Sequence, residues 1–172
     1  VYNFNEEAYD RLEDFESVVR TKLIRADVCH ADETNINIDG KRRWLHCVSN
    51  DDWTYFLPHE KRGVDAMNEM GVLPNCHGIL CHDHWKPYFK FDCEHALCNA
   101  HHLRELERAW DQDHQQWAHQ MTILLKEINK ATHEAGGCLD VLLSQQYRKR
   151  YRDLLEEAER ECPAPDETER KG

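Results

Sequence analysis

No apolar run in the 172 residues approaches the roughly 20 that a membrane-spanning helix needs, so no contact with a membrane is expected. A basic surface is lacking too: 22 Lys and Arg stand against 33 Asp and Glu, a formal net charge of −11. Free-standing nucleic-acid binders usually carry a basic face or a high pI. The balance therefore speaks against DNA binding by these residues alone, though not against a nuclease-type centre, which is acidic by necessity. The first residues show no export signal, and the chain opens on Val1 rather than Met, so a piece of a longer protein is expected. There is no internal repeat. With 40% apolar and 32% charged residues, a packed core is within reach and wholesale disorder is not expected. Eight cysteines are present, but a chain of this length needs no disulfide scaffold, so they read as reduced thiols, some of them available to a metal.

What is present is a change of period. Ala8, Leu12, Phe15, Val19 and Leu23 recur at helical spacing and predict one helix over residues 5–24, with Asn5 as its N-cap. From Asp27 the pattern alternates. Val28 to Ile36 and Arg43 to Ser49 read as strands joined at the Asp39-Gly40 hairpin signal. Trp53 to Leu57 reads as a third strand ended by Pro58, and Val64 to Met70 as a short helix closed by Gly71. Gly78 to Cys81 has the length of a buried strand, and Cys93 to Cys98 reads as a last strand before a helix over residues 99–109. Beyond that the chain is helical: Trp117, Met121, Leu124, Ile128 and Ala131 share a face, Gly136-Gly137 breaks the run, and Tyr147, Tyr151, Leu154 and Ala158 mark a further helix stopped by Pro163 and Pro165.

Three antiparallel strands, a helix and a fourth strand is the opening order of the ribonuclease-H-like fold, in which the fourth strand lies parallel beside the first. Asp32 then sits in the first strand, within HADET, and Asp83 at the end of the fourth, within CHDHW. Adjacent strand carboxylates repel unless a divalent cation neutralises them. Hard oxygen donors suit Mg²⁺ or Mn²⁺, and such ions activate a water or a 3′-hydroxyl against a phosphodiester. Among 33 acids, two also fall near strand ends by chance, so the pattern alone does not decide between a metal pair and a solvated surface.

The wording around the acids adds to this. ADETNINIDGKRRWLH, EKRG, GILCHDHWKPY and HALCNAHHLREL, in this order and spacing, closely resemble the insertion sequence 66 family of bacterial DDE transposases. The resemblance is dense from Val28 to Trp110 and looser through WAHQMTILLKE and YRDLLEEAERECP. It implies an α/β, ribonuclease-H-like core with an all-helical insertion at its C-terminal end. The corresponding division is an N-terminal helix at 1–26, a partial catalytic core at 27–111, a helical insertion at 112–162 and a mobile tail at 163–172. It implies that Asp32 and Asp83 are the first two of three catalytic acids binding two Mg²⁺ or Mn²⁺ ions for DNA cleavage and strand transfer. The implied partners are DNA, as transposon ends and target, and further copies of the protein, in the bacterial cytoplasm. The third acid, a Glu in an Asn-Asn-x-x-Glu-Arg motif, has no match in these residues, so it is expected beyond residue 172 and the fragment is expected to be inactive alone.

Lys61 and Arg62 match a basic loop of that family and are candidate phosphate contacts; the plain alternative is a solvated turn. Arg104, in the helix after the last strand, is a candidate for the acids or for DNA, or else a surface ion pair. Cys98 and His101 look like the Cys-x-x-His that several transposase superfamilies carry after the second Asp, and with Cys93 and His95 they are candidate Zn²⁺ ligands. Buried thiols acting as small hydrophobes are the competing reading. From these residues a different function follows as the alternative: a zinc-stabilised binding or assembly module. A Cys-His nucleophile is weaker, since no orienting third residue accompanies Cys98 and His101.

Overall fold

The computed structural model describes residues 2–163. They divide into two compact units, with the boundary between Cys98 and Asn99. The first is a five-stranded sheet with helices. Among the described residues, the second holds helices and no strand.

In the first unit, α1 (Tyr2–Arg11) and α2 (Glu13–Ile24) replace the single expected helix, and Asn5 lies inside α1 rather than capping it. The break falls at Leu12 (φ −94°, ψ 0°), whose N–H bonds Tyr9 O, three residues back. Then follow β1 (Val28–Ile38), β2 (Lys41–Ser49), β3 (Thr54–His59), α3 (Val64–Met70), β4 (Ile79–His82) and β5 (Glu94–Leu97). Asp39 (φ 52°) and Gly40 (φ 74°) turn the β1–β2 hairpin, both in the left-handed region that the Asp-Gly pair favours. Pro58 lies within β3 and pairs with Leu45 instead of ending the strand; β3 is an edge strand, where a missing ladder donor is tolerated.

The sheet order is β3-β2-β1-β4-β5. β1 runs antiparallel to β2 and β2 to β3, while β4 runs parallel to β1 and β5 to β4. Alternation sorts the side chains. Ala31, Val48 and Tyr55 are cross-strand neighbours on one face; with Cys29 and Leu80 they pack against Val19 and Leu23 of α2 and Met67 and Met70 of α3. Each such fully buried aliphatic side chain contributes about 1.5–3 kcal/mol. On the other face, Asp32, Cys47 and Phe56 form a cross-strand row, with Asp32 and Phe56 exposed. Gly78, just before β4, lets that strand close on β1: a Cβ there would lie 2.4 Å from Ala26 O and 2.6 Å from Asp27 O.

The second unit holds α4 (Asn99–Asp111), α5 (Gln116–Glu134) and α6 (Val141–Glu161). Leu106 of α4 is buried with Ala118, Met121, Leu124 and Tyr147, and Ala109 and Trp110 pack against that cluster. For this reason α4 groups with the helical unit, whereas the sequence pattern draws the core's edge at residue 111. Two carboxylates satisfy the helix N-termini. Asp140 caps α6 through Leu143 N, and Glu161 accepts from Gln116 N (2.8 Å) and Trp117 N (3.3 Å) at the start of α5. Gly136 and Gly137, both at positive φ, make the turn after α5. Helix α6 ends at Glu161, just before Pro163; the tail expected from 163 lies, from residue 164 on, outside the described residues.

Candidate active site

The β1–β4 ladder pairs Val28 with Ile79, Cys29 with Leu80 and His30 with Cys81. Asp32 and Asp83 each follow that last pair by two residues, Asp32 within β1 and Asp83 one residue past the end of β4. Asp32 Oδ1 accepts the N–H of Glu33 (2.8 Å). Asp83 Oδ1 accepts the N–H of Trp85 (2.9 Å), opening the turn that leads into a short 3₁₀ segment at Lys86–Lys90 and so to Tyr88. Tyr88 is almost fully buried. Its phenol is pushed far up in pKa, first by burial, then by its bond to Glu33, with the negative charges of Asp83 and Asp32 adding to both. One hydroxyl thus senses all three acids, and it stays protonated as a donor.

Glu33 is not among the residues that the sequence motifs single out. Strand neighbours point to opposite faces, so exposure of Asp32 puts Glu33 on the core side, where its side chain is 1% exposed. Burial of a carboxylate is costly without partners. Glu33 has two: Tyr88 Oη donates to Oε2, and Arg62 donates to Oε1 through Nε (2.8 Å) and Nη2 (2.7 Å). Arg62 lies over Trp85 (4.0 Å) and Trp44 (5.0 Å), so its flat cation is held between rings. A charged residue in the inward phase of a predicted strand, with an Arg elsewhere to match it, is the signal that could have found this pair.

The other candidates fall in different places. Lys61 is exposed; its Nζ pairs with Asp65 (2.8 Å), and its carbonyl meets buried His46 Nε2 (3.2 Å). Burial lowers the His46 pKa and keeps the ring neutral. Arg104 is exposed on α4, in the helical unit.

His95 packs on the core side of the sheet, with Nδ1 against His82 Nε2 (3.0 Å) and Nε2 against Phe91 O (3.2 Å), while His82 Nδ1 meets Asp83 O. This chain of contacts braces the strand end that carries Asp83 and engages both ring nitrogens of His95. Cys93 instead adjoins Cys76, which also abuts Cys29; the Cys76 thiol is drawn down in pKa, chiefly by its contact with Cys29. Cys98 holds β5's exit to β4 through its N–H on His82 O (2.8 Å), and its thiol lies against Cys81. His101 opens α4, its Nδ1 buried without a hydrogen-bond partner among the described residues. Asp32 and Asp83 thus each stand two residues past the last β1–β4 pair and both act on Tyr88, with Arg62 joined to Asp32's neighbour Glu33. Cys93, His95 and Cys98 go to separate contacts.

Comparison with known proteins agrees with the sequence motifs. The transposase IS66 family matches residues 1–171. No curated protein matches the chain. Among solved structures, the chain is similar to part of a cryo-EM structure of the simian T-cell lymphotropic virus intasome in complex with PP2A regulatory subunit B56 gamma. That similarity has 9% identity and a TM-score of 0.33, over 48% of this chain and 40% of that chain. Among the described residues no helix is long and apolar enough to cross a membrane. Since the family match runs through both units and contains Asp32 and Asp83 together with their flanking motifs, the chain belongs to the transposase IS66 family.

Proposed function

We propose that this chain carries two of the three catalytic acids of a DDE transposase, Asp32 and Asp83, on a ribonuclease-H-like core, and that its parent protein cleaves DNA and joins strands with them. The observation that carries the reading is the parallel β1–β4 pairing, whose last pair, His30 and Cys81, stands two residues before Asp32 and Asp83 in the chain. The sheet order, with three antiparallel strands flanked by parallel β4 and β5, supports the fold assignment.

The donor set fits a hard divalent cation. Both groups are carboxylates, and the nearby guanidinium of Arg62 goes to Glu33 rather than to either of them. Asp32 and Asp83 would hold Mg²⁺ or Mn²⁺, which when bound supplies activation of a water or 3′-hydroxyl and stabilisation of the leaving oxygen. The chain's own residues hold the geometry. Tyr88 and Arg62 fix Glu33 and, through it, the β1 backbone at Asp32, while the Trp85 N–H and the His82–His95 contacts fix Asp83. The 172 residues contain no Asn-Asn-x-x-Glu-Arg sequence. The reading therefore assigns turnover, with DNA ends, target and further copies of the protein as partners, to the parent. Strand transfer by the parent carrying Asp32→Asn or Asp83→Asn tests this: activity disappears with the fold intact, and retained transfer in either variant refutes the assignment.

A further inference from the structure

The chain's most basic stretch lies far from the acids in sequence. Residues 148–152 of α6 read Arg-Lys-Arg-Tyr-Arg, in a protein of net charge −11. Their charges are not treated alike. Lys149 is paired with Asp153 (2.7 Å), and Arg150 with Glu127 (2.7 Å), which also accepts from Tyr147. Arg148 and Arg152 are exposed and make no ion pair among the described residues. Instead they line a groove of about 400 Å³ within the helical unit, with Ser144 and Tyr151 on the same helix and Ile128 and Leu139 across from it.

Ser144, Arg148 and Arg152 follow one another at i, i+4 and i+8, so they form one line along α6, about 6 Å of axial rise per step. Tyr151 adds a second hydroxyl beside them. Guanidinium, serine and tyrosine hydroxyls are the donors that proteins direct at nucleic-acid phosphates. An acidic protein that neutralises two of four neighbouring cations internally and leaves the other two on one groove edge is complementary to an anionic polymer there.

We propose that this edge of α6 is a sequence-independent contact for the phosphate backbone of DNA. The choice of DNA rests on the transposase reading above. The test is fluorescence anisotropy of the 172-residue chain with a labelled DNA duplex over a salt series. Arg148→Ala/Arg152→Ala should weaken binding at least tenfold at low salt and flatten log affinity against log salt by about 2 units, near 0.9 for each phosphate left unneutralised. Lys130→Ala, which removes an exposed cation on α5, should change affinity less than twofold. A circular-dichroism melt shows that the double variant folds. Unchanged affinity and slope in the double variant overturns the proposal, as does absence of duplex binding by the wild-type chain. So does sedimentation showing self-association that the double variant abolishes while DNA affinity stays the same; that result gives the groove to a second copy. Asp32→Asn separates the two readings. If it abolishes strand transfer in the parent while the arginine variant binds normally, this proposal alone falls. If Asp32→Asn retains transfer, the catalytic reading falls whatever the anisotropy shows.

Discussion

Arg62 reaches Glu33 Oε1 through both Nε (2.8 Å) and Nη2 (2.7 Å), and Glu33 follows Asp32 directly in β1. The pair is a buried carboxylate held by a half-exposed guanidinium. Its attraction is set against the cost of taking Glu33 out of water, so the pair as a whole is no large source of stability; breaking it is what costs. Arg62→Ala leaves Glu33 charged and buried with Tyr88 as its remaining partner, and is expected to destabilise the first unit by about 3–5 kcal/mol. Arg62→Lys should recover less than half of that, because a lysine lacks the planar fork and the ring stacking. Urea melts of the three proteins check this. A loss below about 1 kcal/mol for Arg62→Ala would make the pair an incidental one and return Arg62 to the role of a solvent-facing phosphate ligand.

Gly78 sets how closely β4 approaches β1. A methyl group there meets backbone oxygens of Ala26 and Asp27 at 2.4 and 2.6 Å, and backbone has little room to give. Gly78→Ala should cost about 1–3 kcal/mol and, by shifting the strand that leads to Asp83, lower strand transfer in the parent beyond what stability explains. Gly63→Ala is the internal control: its φ is −88° and nothing lies within 4 Å of the added carbon. It should cost less than about 1 kcal/mol, from the poorer N-cap that alanine gives α3, and leave strand transfer unchanged. Equal effects of the two substitutions would contradict the packing account.

Stability should fall with pH below the ordinary histidine range. Burial lowers the pKa of His46 from 6.5 in the folded chain, and His82 is lowered for the same first reason. Below 6.5 the unfolded chain binds protons that the folded chain refuses, so stability is full above 6.5 and declines as the pH drops toward the lowered native values. His46→Gln keeps a donor for Lys61 O and removes one of the two titrating rings. Its stability-versus-pH curve should be shallower from pH 6.5 down to about 5 than that of the wild type, as read by thermal melts across that range. A wild-type curve that is flat or rises on acidification would show that burial does not govern these rings.

Much of the fold was legible because it rests on local signals. Asp39-Gly40 marked the hairpin, and Gly71 marked the end of α3. What was hidden depends on partners distant in sequence. Glu33 lies 29 residues from Arg62 and 55 from Tyr88, and no periodicity links them. The break at Leu12 was hidden because apolar spacing continues across it, and spacing does not report φ and ψ. Pro58 reads as a stop because edge position is a property of the whole sheet. The packing of α4 was hidden because the helix is amphipathic and the sequence does not say against which neighbours its apolar face packs. The histidines and cysteines were readable as a cluster by spacing, yet His95 turns to His82 and Cys93 to Cys76, partners 13 and 17 residues away that spacing within the motif does not reveal.

The central claim is that Asp32 and Asp83 serve one metal-dependent centre. The most direct measurement is strand transfer by the parent protein with Asp32→Cys or Asp83→Cys, assayed in Mg²⁺ and in Mn²⁺. A thiolate is a poor ligand for hard Mg²⁺ and a better one for softer Mn²⁺. The account predicts loss of activity in Mg²⁺ for both variants and partial recovery in Mn²⁺ for both. Full activity in Mg²⁺ for either variant, or recovery at one position with none at the other, would contradict it.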